Sequence, residues 1–284
     1  MAKTNIKMWM DKGTALLKDQ AIPNPRFEAE VLLDGILHKG RAWLYAHGDA
    51  LLSEAQEKQY QVWLQRRSLH EPFAVIVGYK EFMGITFKVT PDVLIPRPDT
   101  ECVVESALAL PLEKKAKVLD LCTGTGAIGI ALGVLKPDWQ ITLSDISPQA
   151  LKVAEGNAGL NHVKTRIVNS DLLDAFEKED PFDLIISNPP YIPHGEILKL
   201  EPDVKDYEPW LALDGGETGF DFYNRLIPQA QSQLKKEGWL VLECGADQAE
   251  ALIEKVERSG FESGTIIKDL SGKNRGITAK KQRI

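Results

Sequence analysis

The chain has few of the residues that bind metals or form disulfides. Its 284 residues include three cysteines and five histidines. Cys102, Cys122 and Cys244 are far apart, and neither they nor the histidines have the spacing of a metal or redox motif. We therefore expect no metal site, and we interpret the thiols as small core residues of a protein in a reducing compartment, the cytoplasm.

Long apolar runs are also absent. No segment approaches the roughly 18 apolar residues that would span a membrane. The amino terminus reaches Asp11 without the apolar core of a signal peptide. The sequence thus predicts a cytoplasmic protein that does not interact with a membrane.

Basic residues are outnumbered by acidic ones, 34 against 41, which gives a formal net charge of −7. A protein held on DNA by many phosphate contacts needs a basic face, so we expect no stable DNA binding. One basic cluster lies near the carboxyl terminus, and we interpret it as a solvated edge strand and tail. Its members are Lys273, Arg275, Lys280, Lys281 and Arg283.

The first part of the chain, residues 1–72, has apolar residues at helical spacing. Asn24 followed by Pro25 resembles an N-cap and a first-turn proline. Ser53 with Gln56 three residues later is typical of a capping box. We predict a small helical bundle without an evident catalytic group.

The hydrophobic pattern changes after that bundle. Residues 73–100 are predicted to form a β-hairpin, with strands at residues 75–77 and 85–89, followed by a proline-rich linker. Residues 101–284 alternate between strand and helix patterns. That alternation predicts an α/β domain with a Rossmann-like, mostly parallel sheet covered on both faces.

A glycine-rich turn stands at the start of the α/β region. Residues 118–122 have a strand pattern, residues 123–126 read Thr-Gly-Thr-Gly, and residues 127–132 indicate a buried helix. This order is typical of the nucleotide-binding start of a doubly wound sheet. Asp145 ends a second predicted strand, where a carboxylate can accept from both ribose hydroxyls. The spacing fits NAD as well as S-adenosylmethionine.

A second motif follows the apolar run at residues 182–187. Asn188, Pro189, Pro190 and Tyr191 make a stiff loop, because each proline fixes φ and removes an N–H donor. The loop therefore offers mainly acceptors beside an aromatic ring, which suits a planar NH₂ group. A simple turn after a strand is the alternative interpretation.

The two motifs together favour one type of chemistry. The carboxyl ends of parallel strands meet at one edge of a sheet, where ligands bind beside the switch point. A third predicted strand ends there before Asp171 and Leu172, which could accept from an adenine amino group and cover its ring. An adenosyl cofactor would then face an acceptor loop, which indicates transfer to an NH₂ nitrogen.

The chain resembles a class I S-adenosylmethionine-dependent methyltransferase, and more closely the release-factor glutamine methyltransferases of the PrmC/HemK family. Four stretches carry the resemblance, which extends over nearly the whole chain. They are residues 95–101, 120–126, 187–192, and 207–209 together with 213–216. One departure is visible, because the family usually has glycine where this chain has Cys122.

The motifs and this resemblance together assign the expected site. The cofactor is S-adenosylmethionine, and its expected contacts are Cys122, Thr123, Gly124, Thr125, Gly126, Asp145, Asp171, Leu172 and Asn188. Asn188, Pro189 and Tyr191 are expected to be catalytic, and they bind the substrate together with Pro190. The resemblance implies that the substrate is the glutamine of a Gly-Gly-Gln tripeptide in peptide chain release factors. It also implies that residues 1–72 dock this partner, and we expect a monomer.

Three alternatives remain open at this point. A ribosomal-protein glutamine methyltransferase would have a similar loop and would differ mainly in its amino-terminal domain. A DNA adenine methyltransferase would hold a flipped base in the same loop, but net acidity and the lack of a target-recognition domain argue against it. A non-enzymatic adenosyl-binding scaffold would not need the glycines together with Asp145 and Asn188.

Overall fold

The computed structural model describes residues 4–283 and divides into two compact units. One unit comprises the chain up to Gly78 together with Glu201–Tyr207. The other comprises Tyr79–Leu200 and the chain from Glu208 onward. The functional division at residues 72 and 100 stays a prediction.

The first unit is helical. Its helices are α1 (Ile6–Asp19), α2 (Pro25–Leu37), α3 (Arg41–Ala46), α4 (Glu54–Ser68) and α5 (Phe73–Val77), with α10 (Pro202–Lys205) from later in the chain. The predicted capping box is confirmed, since Ser53 and Gln56 bond reciprocally at the start of α4. Asn24 does precede α2, but it has a left-handed backbone and its side chain makes no capping bond.

The strand predicted at residues 75–77 is wrong, because these residues belong to helix α5. A short apolar run buried on all sides looks the same in a strand and in a helix, so periodicity does not separate them. The hairpin follows instead, with β1 (Tyr79–Phe82) paired to β2 (Ile85–Lys88). Asn157 accepts from the Lys88 N–H and donates to the Lys88 carbonyl, which fixes the end of the hairpin.

The second unit contains a sheet of seven strands in the order β5-β4-β3-β6-β7-β9-β8. Its strands are β3 (Lys117–Leu121), β4 (Gln140–Asp145), β5 (Thr165–Asn169), β6 (Phe182–Ser187), β7 (Leu234–Glu243), β8 (Thr265–Lys268) and β9 (Asn274–Lys280). Its helices are α6 (Glu101–Leu108), α7 (Ala127–Leu135), α8 (Pro148–Leu160), α9 (His194–Ile197), α11 (Asp221–Gln233) and α12 (Ala249–Arg258). Strands β3 to β7 are parallel, and β9 is antiparallel to β7 and β8, so the predicted mostly parallel α/β sheet is confirmed.

The order in which strands are added to the sheet reverses at β3, which pairs with β4 on one side and with β6 on the other. The chain therefore leaves β3, β4 and β6 at neighbouring points of one edge. Helix α7 packs closely on the sheet there, since a Cβ on Gly129 would lie 2.3 Å from the Leu143 side chain. Apolar side chains cover both faces and hold the strand ends in place.

The basic cluster near the carboxyl terminus does not lie on an edge strand, contrary to the expectation from the sequence. Strand β9 is not an edge strand, because β8 lies outside it. Arg275 pairs with Asp99 and Asp269, while Lys280 and Arg283 pair with Glu237. These cations are therefore neutralised by acids of the same unit.

Candidate functional site

A cavity of about 190 Å³ lies at the carboxyl edge of the parallel strands. Its wall receives residues from the ends of β3, β4 and β6 and from the segment after β5. The lining residues are Asp92, Val93, Leu94, Cys122, Gly124, Asp145, Ile146, Ser147, Ala150, Asp171, Asn188, Pro190, Pro209, Leu211, Ala212, Phe222 and Arg225. The predicted convergence of the two motifs at one edge is therefore present.

A wider groove of about 1040 Å³ lies beside Gln140 and Thr165, the first residues of β4 and β5. Several of its charged side chains are already paired with one another: Lys117 with Asp180 and Arg166 with Glu179. It contains none of the motif residues. We therefore place the candidate site in the smaller cavity.

The glycine loop after β3 has a tightly turned backbone. Cys122, Gly124 and Gly126 all have positive φ, at 57°, 54° and 82°. A Cβ on Gly124 would meet nothing within 4 Å, whereas one on Gly126 would lie 2.6 Å from the Ile130 side chain. Gly124 thus leaves its backbone open to a ligand, and Gly126 lets the loop pack against α7. Thr123 and Thr125 are buried and do not line the cavity.

Asp120 supports this loop from inside the protein. Its Oδ2 accepts from the Thr123 hydroxyl at 2.6 Å and from the Gly129 N–H at 2.8 Å. Complete burial raises the pKa of Asp120 to about 7, although both hydrogen bonds oppose the shift. This carboxyl group therefore connects the loop to α7, and the sequence did not indicate that role.

Asp145 holds the opposite side of the glycine loop. Its Oδ2 accepts from the Gly124 N–H at 2.9 Å, and its Oδ1 accepts from the Ser147 N–H at 2.9 Å. Burial raises the pKa of Asp145, with these backbone bonds opposing the shift. A carboxylate has about four acceptor positions, so Asp145 retains capacity to bind hydroxyl groups in the cavity.

Asp171 lies on the cavity wall, whereas the neighbouring Leu172 lies in the hydrophobic core. Asp171 lines the cavity and forms an ion pair of 2.7 Å with Arg225 of α11. Leu172 has φ of 48° and lies in the hydrophobic core rather than on the cavity wall. Arg225 was not found from the sequence, because no local motif surrounds it.

The loop after β6 is held from both ends. The Ser187 hydroxyl donates to the Leu121 carbonyl at 2.6 Å, and Gln248 donates to the Tyr191 carbonyl at 3.1 Å. Asn188 and Pro190 line the cavity, while Pro189 is buried. Burial also raises the pKa of the Tyr191 phenol.

The segment at residues 213–216 lies directly against this loop. Two backbone hydrogen bonds join them. The Ile192 N–H donates to the Leu213 carbonyl at 3.1 Å, and the Gly215 N–H donates to the Ile192 carbonyl at 2.8 Å. A Cβ on Gly215 would lie 2.7 Å from the Tyr191 backbone. The two stretches singled out in the sequence therefore support each other.

The linker motif at residues 95–101 also contributes to the site. Arg97 forms an ion pair with the buried carboxylate of Glu208. Pro209, which follows Glu208 in the chain, lines the cavity. This pair therefore fixes the chain that leads to Leu211 and Ala212 on the same wall.

Two further findings concern ligands and membranes. Among residues 4–283, no group of three or more histidine, cysteine, aspartate or glutamate side chains could hold a metal ion. No helix within the same range is long and apolar enough to cross a membrane.

Two family models match the chain. The PrmC N-terminal domain matches residues 8–78, and the methyltransferase small domain matches residues 103–200. The release factor glutamine methyltransferase of Clostridium acetobutylicum is 39% identical across 96% of this chain and 98% of its own length. That of Leptospira interrogans is 41% identical across 94% of this chain and 95% of its own length.

Solved structures resemble the fold. A methyltransferase from Pyrococcus furiosus has a TM-score of 0.54 and 18% identity, covering 77% of this chain and 98% of that chain. The T. thermophilus 16S rRNA N2 G1207 methyltransferase, in complex with AdoMet and guanosine, has a TM-score of 0.52 and 20% identity, covering 72% and 50%. At these identities the likeness establishes the class I methyltransferase fold alone.

The family therefore follows from the full-length relatives, whose identity near 40% extends over both the helical and the α/β units. The chain belongs to the release factor glutamine methyltransferase family.

Proposed function

We propose that this protein transfers a methyl group from S-adenosylmethionine to the side-chain amide nitrogen of a release-factor glutamine, within a Gly-Gly-Gln tripeptide. The main support is the full-length similarity to relatives named release factor glutamine methyltransferase. The cavity adds chemical support, because an acceptor-rich loop and a nucleotide-type glycine loop share its wall.

The cofactor assignment is supported by the open backbone at Gly124, where a side chain would project into empty space. Asp145 and Asp171 line the same cavity. We assign Asp145 to the ribose hydroxyls and Asp171 to the adenine amino group. Cys122 and Asn188 line the same cavity, whereas Thr123, Thr125, Gly126 and Leu172 are buried and do not line it. When bound, S-adenosylmethionine supplies an electrophilic methyl group on a sulfonium.

The acceptor loop has to prepare a poor nucleophile. The lone pair of an amide nitrogen is delocalised into its carbonyl group. Two acceptors outside the amide plane favour a pyramidal nitrogen and free that lone pair. We assign these acceptors to the Asn188 side-chain oxygen and the Pro189 carbonyl, with Pro190 and Tyr191 packed against the substrate. No strong base is needed beforehand, since a methylated amide cation loses its proton readily.

Rigid positioning supplies much of the expected rate. Holding two reactants in attack geometry is worth about 7–11 kcal/mol in favourable cases. The loop meets this requirement structurally, because hydrogen bonds to Leu121, Gln248 and Leu213 fix it along its length.

The helical unit is proposed to recognise the folded partner. In this division residues 1–72 dock the release factor, residues 73–100 link the two parts of the chain, and residues 101–284 perform the methyl transfer. Several large apolar side chains on the helical unit are exposed and available for contact with a protein partner. They include Met8, Leu16, Phe27, Tyr45 and Leu51. A short Gly-Gly-Gln peptide should accordingly be a much poorer substrate than the whole factor.

The test uses methyl-labelled S-adenosylmethionine, the intact enzyme and a purified release factor, followed by mass mapping of the modified residue. We expect one methyl group on the glutamine of the tripeptide and none on a factor with glutamate there, since no NH₂ remains. Label on a ribosomal protein or on DNA adenine, with the release factor untouched, would contradict the substrate assignment while leaving the fold intact.

A further inference from the structure

Glu243 lies beside the acceptor loop and has no part in the proposed methyl transfer. It is the last residue of β7, and Asn188 is the first residue after β6. Strands β6 and β7 are parallel neighbours in which Ser187 is opposite Leu242. Asn188 and Glu243 therefore leave the sheet side by side at the edge that carries the cavity.

The Glu243 carboxyl group is buried, with the residue only 4% exposed. Its Oε2 has no hydrogen-bond partner among the described residues. The polar side chains of Thr100 and Asn188 lie beside the carboxyl group and favour its charged form. Burial raises the pKa of Glu243 to about 7 despite these two polar neighbours and the nearby Arg275 charge.

A purely structural role explains this placement poorly. Arg275 forms ion pairs with Asp99 and Asp269, so its charge is already shared between two other acids. A buried carboxyl group without a dedicated cation is costly, and an apolar residue of similar volume would suit the end of a buried strand better. A buried carboxyl group at this position is therefore better explained by an interaction with Asn188, which lies beside it.

The chemistry of an asparagine side chain supplies the connection. Its amide has one oxygen that accepts and one NH₂ that donates. When the NH₂ donates to Glu243, the oxygen points the other way. If the amide were rotated by half a turn, its NH₂ would face the NH₂ of a substrate amide, and no hydrogen bond could form.

We propose that Glu243 is a positioning residue that holds the Asn188 amide with its NH₂ toward the protein and its oxygen toward the acceptor substrate. Thr100 also lies beside this carboxyl group, so the linker motif at residues 95–101 contributes to its surroundings. This inference rests on the proposed function, in which the Asn188 oxygen receives the substrate NH₂.

The first test compares two substitutions. Glu243→Gln keeps a carbonyl oxygen for the Asn188 NH₂, so kcat should stay within about threefold. Glu243→Leu removes the acceptor, and kcat should fall by about tenfold to a hundredfold, as expected when a reacting group is misplaced. The KM for release factor and the affinity for S-adenosylhomocysteine should stay within about twofold. Tyr223→Phe is the matched control, because it removes a bond to the Glu243 backbone carbonyl and leaves the carboxyl group in place.

A double-mutant cycle separates positioning from general damage. With Asn188→Ala as background, Glu243→Leu should lower kcat no further, because the group that it positions is gone. Equal effects of Glu243→Leu in both backgrounds, or a wild-type kcat for Glu243→Leu alone, would overturn the proposal.

A spectroscopic readout does not depend on the substrate. The Asn188 side-chain NH₂ signal of ¹⁵N-labelled protein is identified by its loss in Asn188→Asp. We expect slow hydrogen exchange for this NH₂ in wild type and Glu243→Gln, and fast exchange in Glu243→Leu. Unchanged exchange in Glu243→Leu would refute the positioning role even if the release factor proved not to be the substrate. Wild-type protein that does not methylate the factor, with the exchange pattern as expected, would instead refute only the substrate.

Discussion

The backbone N–H of Gly124 donates to Oδ2 of Asp145 at 2.9 Å. The acid at the end of β4 therefore holds the glycine loop after β3 in addition to facing the cavity. The geometry of the loop and the proposed binding of the cofactor therefore involve the same carboxylate.

The first prediction concerns this carboxylate. Asp145→Ala should weaken S-adenosylmethionine and S-adenosylhomocysteine binding, because hydrogen bonds to a charged acceptor are worth about 1.5–3 kcal/mol. Isothermal calorimetry measures the change. Asp138→Ala is a control, because Asp138 is an exposed acid paired with Lys114. Equal affinity of wild type and Asp145→Ala would remove Asp145 from the site.

The second prediction concerns Cys122, which has φ of 57°. A residue with a Cβ pays about 1–2 kcal/mol for the left-handed conformation, whereas glycine does not. Cys122→Gly should therefore fold with stability near or above that of wild type and keep its cofactor affinity. Cys122→Ala, which retains the strain and loses the sulfur, should be less stable than Cys122→Gly in urea unfolding. A loss of activity greater than about tenfold, or 1.4 kcal/mol, in a folded Cys122→Gly would indicate a specific role for the thiol.

The third prediction tests the support of the acceptor loop. Gly215→Ala places a Cβ 2.7 Å from the Tyr191 backbone, so the loop has to move. We expect kcat to fall by about tenfold to a hundredfold, with unchanged affinity for S-adenosylhomocysteine. Gly195→Ala is the matched control, because a Cβ there meets nothing within 4 Å. Similar kcat values for the two variants would show that residues 213–216 do not position the loop.

The fourth prediction follows from the burial of Asp120, whose pKa rises from an ordinary 3.8 to about 7. Between these values the folded state binds more protons than the unfolded state, so this group lowers the free energy of unfolding as pH rises. Asp120→Asn removes that titration. The stability of wild type relative to Asp120→Asn should therefore fall between pH 5 and pH 8 in urea unfolding, with Asp138→Asn as the exposed control. A constant difference would show that Asp120 does not titrate in this range.

The sequence predicts those site residues that stand at the carboxyl ends of parallel strands. Gly124, Asp145 and Asn188 each follow or end a buried parallel strand, and such ends meet at one edge. The same rule could have found Glu243, because it ends the apolar run of β7. It lacked a recognised motif, and its contact with Asn188 depends on strand order.

Other features required the three-dimensional structure. Arg225 reaches Asp171 from α11, 54 residues away along the chain. Leu172 has a positive φ and lies in the hydrophobic core, and strand periodicity reveals neither. Residues 75–77 were predicted as a strand because a short, fully apolar run has no period that distinguishes it from a helix.

The last prediction addresses the acceptor loop and the substrate together. Loss of one placed group that interacts with developing charge typically costs about 10²–10³ in rate. Asn188→Ala should therefore nearly abolish transfer, while cofactor affinity stays within a few-fold of normal because Gly124 and Asp145 are intact. Asn188→Asp should be less damaging, since it keeps an acceptor, although its charge alters the desolvation cost.

The most direct measurement is the rate of labelled methyl incorporation at the Gly-Gly-Gln glutamine of an intact release factor, for wild type and Asn188→Ala side by side. We expect one methyl group on that glutamine with wild type, and a rate at least about a hundredfold lower with Asn188→Ala. Equal rates for the two proteins, or wild-type label on another residue or on adenine, would contradict it.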